Sequence, residues 1–267
     1  MEMARYETIS LQVEGPVARL TLDRPEVRNA MNPKMIGEIT SAFSILNEDD
    51  AVRAVILRGS GGIFCAGGDL NWMKDVLGQT EDEVKEDSRY LLNMYRSINE
   101  SPKLIISVVE GAAFAGGLGL ITTSDVVIAE TNTKFCVSEV KIGLTPGIIA
   151  AFMLPRIGPS WMRYLSKTAT LFDCETARTA GLIHEIAADA DDLEIRTSNH
   201  INLALGASPN AIVRTGQLID DIGCAATPEA LSTGLTYNAA ARLSDEAQEG
   251  ISSFLEKRKP SWLPTKK

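Results

Sequence analysis

Apolar and polar residues alternate in ISLQVEG and again in VARLTLDRP, and Gly15-Pro16 separates the two runs. A period of two marks strands with one buried face, and a Gly-Pro pair between them predicts a hairpin. The period then lengthens. Asn32-Pro33 opens a stretch with apolar residues at helical spacing through Phe43 and Leu46. Asn32 is the expected N-cap and Pro33 the first helical residue. AVRAVILRG is short and mostly apolar, as a strand buried on both faces between helices must be. The glycine-rich connector GSGGIFCAGGDL follows it. Glu81 to Ile98 reads as a polar helix, Leu104 to Val109 as a second buried strand, GAAFAGGLG as a second glycine-rich connector, and Val126 to Ala129 as a third strand.

Strands thus alternate with helices over roughly the first 190 residues, which predicts an α/β core with parallel pairing and right-handed crossovers. From Ile195 onward no strand candidate remains, and Ala-rich helical stretches run to Lys259. The expected organisation is a core over residues 1–194 and a helical C-terminal region over residues 195–267, packed on the core or on a neighbouring subunit.

Composition narrows the function classes. Of 267 residues, 45% are apolar and 23% charged, the balance of a soluble globular chain. No apolar run is long enough to span a bilayer. The N-terminus, MEMARYETIS, lacks the basic-then-apolar layout of a secretory signal. A cytoplasmic protein without a membrane partner is expected. A net charge of −9, with no basic stripe, argues against nucleic acid. Cys65, Cys136, Cys174 and Cys224 form no C-x-x-C pair, so reduced thiols are expected rather than disulfides or a zinc cluster. The only histidines, His184 and His200, are too few for a His-rich metal site or a His-dependent triad and read as structural. An anionic small molecule can still bind at a local Lys/Arg cluster or at helix N-termini.

The two glycine-rich connectors share one layout: buried strand, glycine turn, helix start. In α/β sheets ligands sit at such turns. Glycine lets the backbone come close to a ligand, and the first N–H groups of a helix have no partner within it. Two such turns side by side can aim two N–H donors at one oxygen, an oxyanion hole. The same glycines serve equally well for tight turns and helix–sheet packing alone. Neither turn is a phosphate loop, since GxxxxGK[ST] and GxGxxG are both absent.

Four segments, LDRPEVRNAMN, AVILRGSGGIFCAGGDL, VVEGAAFAGGLGLITTSDVVIAE and FCVSEVKIGLTPG, resemble the crotonase superfamily, the enoyl-CoA hydratase/isomerase family. The ending FLEKRKPSW resembles the family's C-terminal helix. The likeness implies a crotonase-like core of repeated ββα units. It implies an acyl-coenzyme A thioester as substrate, with coenzyme A as part of the substrate and no other cofactor or metal. It also implies a homotrimer or a dimer of trimers. Residue by residue, it places the oxyanion donors on the N–H groups of Gly68 and Gly116, and the proton-transferring carboxylate on Glu139. Arg24, Arg28 and the Cys65-Ala66 backbone fall where the family contacts coenzyme A. Asp69 and Leu70 fall beside the first donor, and Phe254 and Lys257 fall on the C-terminal helix that reaches the cofactor.

The family's hydratases commonly carry a second glutamate one helical turn beyond the Gly116 position, where this chain has Gly119. Two readings follow from the likeness. One is hydration by the single Glu139 of an enoyl-CoA, branched or carboxylated as in methylglutaconyl-CoA and isohexenylglutaconyl-CoA, with Gly119 opening volume for that chain. The other is double-bond isomerisation by Glu139 alone. A non-catalytic acyl-CoA binder is the remaining alternative. The apolar flanks Val137, Val140 and Ile142 predict a buried Glu139 whose pKa is raised.

Overall fold

The computed structural model describes residues 6–75, 79–223, 235, 236, 238, 240 and 244–263, and all their side chains but those of Glu81 and Phe254. The N-terminal hairpin forms as the alternation predicts. β1 (Ile9–Glu14) pairs antiparallel with β2 (Val17–Leu22), Ile9 facing Leu22. Gly15 closes the turn at φ +58°, open to glycine without steric cost. Helix α1 (Pro33–Glu48) begins at the expected cap: Asn32 Oδ1 accepts the Met35 N–H at 2.9 Å. It buries Met35, Ile36, Ile39, Ala42, Phe43 and Leu46, the apolar stripe of the sequence.

The mostly apolar segments become β3 (Ala54–Gly59) and β4 (Leu104–Val109), at the centre of the sheet. Two helices lie between them in the chain, α2 (Leu70–Asp75) and α3 (Glu81–Asn99). The latter opens with a capping box in which Thr80 and Glu83 bond each other's backbone N–H. After β4 come β5 (Ala112–Phe114), α4 (Gly116–Thr122), β6 (Val126–Glu130), β7 (Lys134–Cys136) and a 3-10 turn, Glu139–Ile142. Helices α5 (Gly147–Thr168) and α6 (Cys174–Thr179), strand β8 (Glu185–Ala187) and helix α7 (Ala190–Gly206) follow. The main sheet has the order β1-β2-β3-β4-β6-β8 and is parallel throughout beyond the hairpin; β5 and β7 form a separate parallel pair.

The three-residue strands β5, β7 and β8 have no counterpart in the hydropathy pattern. Three residues carry no period, and these strands exist because a partner backbone lies alongside. His184 is structural: its Nδ1 accepts the Val127 N–H and its own N–H donates to Val127 O, both at 2.9 Å. Cys65, Cys136 and Cys174 are free and buried; Cys224 lies outside the described residues. Among the described residues no group of acidic, His and Cys side chains is placed to hold a metal ion, and no helix is long and apolar enough to cross a membrane.

The chain forms two compact units that divide inside α7, between Thr197 and Ser198. The second unit contains α8 (Pro209–Ile222) and α9 (Asp245–Leu255), and no strand among its described residues. Within it Arg258 makes a two-pronged ion pair with Glu249, and Trp262 Nε1 donates to Gly206 O at 3.3 Å.

Candidate active site

The two glycine-rich connectors lie against each other in the first unit. Cys65 N–H donates to Ala112 O at 3.0 Å, and Phe114 N–H donates to Cys65 O at 2.9 Å. Glycine is required at this seam. A Cβ on Gly117 would stand 2.6 Å from Cys65 O, a backbone atom that cannot swing aside.

The first connector is held by the segment before α1. Met31 N–H donates to Gly67 O at 2.7 Å, and Asp69 N–H donates to Met31 O at 2.8 Å. In a parallel bridge these bonds straddle the intervening residue, so the N–H of Gly68 faces away from Met31. Buried Asn29 anchors the same loop: its Nδ2 donates to Ser60 O and Ile63 O, and its Oδ1 accepts the Arg24 N–H. In the second connector Ala115 sits at φ 45° and ψ −117°, a strained conformation for a residue with a Cβ. The next residue, Gly116, opens α4, where N–H groups have no helical acceptor. Among the described residues the N–H groups of Gly68 and Gly116 have no acceptor.

Gly68 and Gly116 line one pocket of about 480 Å³, together with Glu139. Met31, Trp72, Leu91, Leu144, Ile148 and Ile149 make its walls largely apolar, and Asp87 and Ser88 of α3 add a polar strip. Glu139 is delivered by the 3-10 turn after β7. Its Oε2 is buried and has no hydrogen-bond partner. Burial raises its pKa above the ordinary glutamate value, partly offset by a bond from its own backbone N–H. An oxyanion-type donor pair and a carboxylate with one free oxygen in one apolar pocket can polarise a carbonyl and move a proton next to it.

Other expected contacts fall elsewhere. Arg24 is committed within the protein: its guanidinium pairs with buried Asp69 at 2.9 Å and donates to Ala30 O at 2.7 Å. Asp69 also accepts the Asn71 N–H, and these bonds hold its carboxyl below the usual range against the opposing effect of burial. Both residues brace the Gly68 turn. Cys65 is fully buried with both backbone polar groups paired, and burial pushes its thiol to about 12. Ala66 spends its N–H on Arg28 O. Arg28 is exposed, in the left-handed region at φ 56°. Leu70 is 74% exposed and does not line the pocket. Lys257 is exposed in the second unit, and the Phe254 side chain lies outside the described residues.

Gly119 requires a correction. It opens no volume in the pocket, because a Cβ there would stand 2.5 Å from Cζ of Tyr95. Tyr95, fully buried, fills that space. Its hydroxyl donates to Gly116 O at 2.7 Å. Burial, reinforced by nearby Cys65 and Glu139, pushes its pKa well above the ordinary value. Sequence reasoning missed Tyr95, Asn29 and Met31. Leu91, Met94, Tyr95 and Ile98 recur at helical spacing on α3, so Tyr95 reads as core, and nothing local marks its contact with a turn 21 residues on.

The family profile described as enoyl-CoA hydratase/isomerase matches residues 12–264. The crotonyl-CoA hydratase of Syntrophomonas wolfei is 32% identical over 266 residues, covering 97% of this chain and 98% of its own. The 1,2-epoxyphenylacetyl-CoA isomerase of Escherichia coli is 31% identical over 262 residues, covering 96% and 98%. A crystal structure of an enoyl-CoA hydratase from Shewanella pealeana superimposes with a TM-score of 0.93 at 32% identity, covering 97% of each chain. With the paired glycine turns, the mostly parallel sheet and this near full-length match, the chain belongs to the enoyl-CoA hydratase/isomerase family of the crotonase superfamily.

Proposed function

We propose that the protein hydrates α,β-unsaturated acyl-CoA thioesters, with Glu139 as its acid–base group. The reading rests above all on Glu139, whose Oε2 is buried without a partner in the same pocket as two backbone N–H groups without acceptors. In this scheme the thioester oxygen accepts from the N–H groups of Gly68 and Gly116. Glu139 takes a proton from water as the water oxygen bonds to the β-carbon. The electrons of the double bond move toward the thioester and leave an enolate whose oxygen the two donors stabilise. Glu139 returns the proton to the α-carbon, so one water is added in total. A donor pair of this kind is worth several kcal/mol at the transition state, since losing one donor costs about 3 to 4 kcal/mol. Coenzyme A enters as part of the substrate, and the scheme needs no other cofactor.

A single carboxylate also fits double-bond isomerisation, in which Glu139 carries a proton from the γ- to the α-carbon. The observation favouring this second reading is Gly119, where Tyr95 leaves no room for another acid. Enoyl absorbance separates the two. A hydratase bleaches an α,β-unsaturated ester; an isomerase leaves it and generates the band from a β,γ-unsaturated one. Absence of both reactions with intact ester binding would make the protein a binder. The expectation of a branched or carboxylated, glutaconyl-type chain rests on the likeness of GLGLITTSD and FCVSEVKIGL to glutaconyl-type hydratases. It rests also on two effects of Gly119, a removed like charge and added volume; Tyr95 fills that volume, so the volume argument falls. Straight, branched and carboxylated esters compared by kcat/KM decide the acyl preference. The family likeness, with the exposed Ile251 and Leu255 on the last helix, supports a homotrimer or dimer of trimers, which light scattering tests.

A further inference from the structure

The N–H of Gly116 belongs to the Ala115–Gly116 peptide, which follows the one strained residue of its turn. Ala115 holds φ 45° and ψ −117°, and ψ of Ala115 sets the direction in which the Gly116 N–H points. A peptide in that position relaxes by rotating, and rotation would turn the N–H out of the pocket. Two bonds flank it. On one side Ala115 N–H donates to Cys136 O at 3.0 Å. On the other, Tyr95 Oη donates to Gly116 O at 2.7 Å. The first is a backbone bond any residue can make. The second needs a phenol at one place, delivered from α3 and buried so that water does not compete for it. Room for the phenol exists only because residue 119 is glycine: a Cβ there would meet Cζ, Cε1 and Oη of Tyr95 at 2.5 to 2.7 Å. A Cβ on Gly116 would stand 2.4 Å from Met31 Cε, a chain end that would have to shift, and 3.1 Å from Tyr95 Oη.

We propose that Tyr95 is a positioning residue for the second oxyanion donor, its hydroxyl fastening Gly116 so that the strained peptide keeps its N–H turned into the pocket. Gly119 is the other half of the device: the chain gives up a side chain on α4 to admit the phenol from α3. The proposal rests on the oxyanion reading of Gly68 and Gly116 and adds to it the side chain that maintains one donor.

The test is Tyr95→Phe, which keeps the buried ring and removes only the hydroxyl. Cinnamoyl-CoA serves as the probe, because hydrogen bonds to its thioester oxygen polarise the conjugated system and move its absorbance to longer wavelength. The wild-type protein should shift the band, and Tyr95→Phe should shift it less at saturating probe. With a turned-over ester, kcat should fall about 10-fold, less than the 100-fold or more for outright loss of a donor, while KM stays within about twofold. Incorporating 3-fluorotyrosine at position 95 keeps the bond and should preserve both the shift and kcat. Equal band shifts and equal kcat in wild type and Tyr95→Phe would overturn the role of Tyr95 alone. A Tyr95→Phe protein that does not fold would make Tyr95 a core residue and also overturn it. A wild-type protein that binds the probe without any shift would instead refute the oxyanion reading itself.

Discussion

The turns after β3 and after β5 each bring one glycine with an unpaired N–H to the lining of the same pocket, by different means. At Gly68 the donor is left over from pairing: Met31 bonds the residues on either side, and the buried Arg24–Asp69 pair braces the loop. No residue from Met31 to Asp69 apart from glycine holds a positive φ. At Gly116 the donor follows a strained alanine and depends on a phenol from a distant helix. A donor secured by backbone pairing is as stable as the loop around it. A donor secured by strain and one side chain is adjustable, because a single hydroxyl bears on it. The difference teaches that apparently equivalent donors need not tolerate the same substitutions.

The largest effect is expected from the group that neither turn supplies. Glu139→Gln should lower turnover by about two to four orders of magnitude, while acyl-CoA binding survives because both donors are backbone groups. Loss of binding in a folded variant would show that one turn leans on Glu139. The wild-type pH profile carries a sign. Glu139 must be ionised to take the proton of water, and burial raises its pKa, so kcat/KM should fall on the acid side at a higher pH than an exposed glutamate would give. A pKa raised in the folded state means stability is full in acid and is lost as pH rises through that value. Glu139→Gln should therefore melt higher than wild type at neutral pH, with the gain vanishing in acid.

The first turn is broken at its brace. Asp69→Ala leaves Arg24 half-buried without its partner and removes the Asn71 bond, at a cost of about 3 kcal/mol, read from urea unfolding. A cost near zero would mean pairing with Met31 holds the Gly68 turn unaided. In the second turn, Gly119→Ala should cost about 2 kcal/mol as overpacking against Tyr95, with turnover falling because the phenol is pushed off Gly116. Unchanged turnover would separate Gly119 from the donor. The smallest effect sharpens the comparison most. Ala115→Gly relieves the strained conformation and should stabilise the fold by about 1 kcal/mol, yet lower kcat because the Gly116 peptide is freer to turn. A gain in both stability and kcat would remove strain from the account.

Much of this was legible along the chain. The hairpin, α1 with its Asn32 cap, the buried strands β3 and β4 and helix α3 follow from local period and capping, which short-range sequence encodes. The two glycine connectors announced close backbone approach. The apolar neighbours of Glu139 did not bury it as expected, since Val140 and Ile142 are exposed and only Val137 is buried, and Glu139 is half-buried by the pocket. Roles that depend on partners distant in sequence were not legible. Arg24 looks like any surface cation until Asp69 is placed against it. Tyr95 looks like one more member of an apolar stripe until Gly116 and Gly119 meet it. Gly119 read alone suggests open space, and only the packed structure shows that space filled. Local sequence marked two glycine turns open to close backbone approach, and family resemblance pointed to Gly68, Gly116 and Glu139, which the structure brings to one pocket. Tertiary structure decided what holds those groups in place, because a buried hydrogen bond or a filled volume belongs to two segments at once and is written in neither.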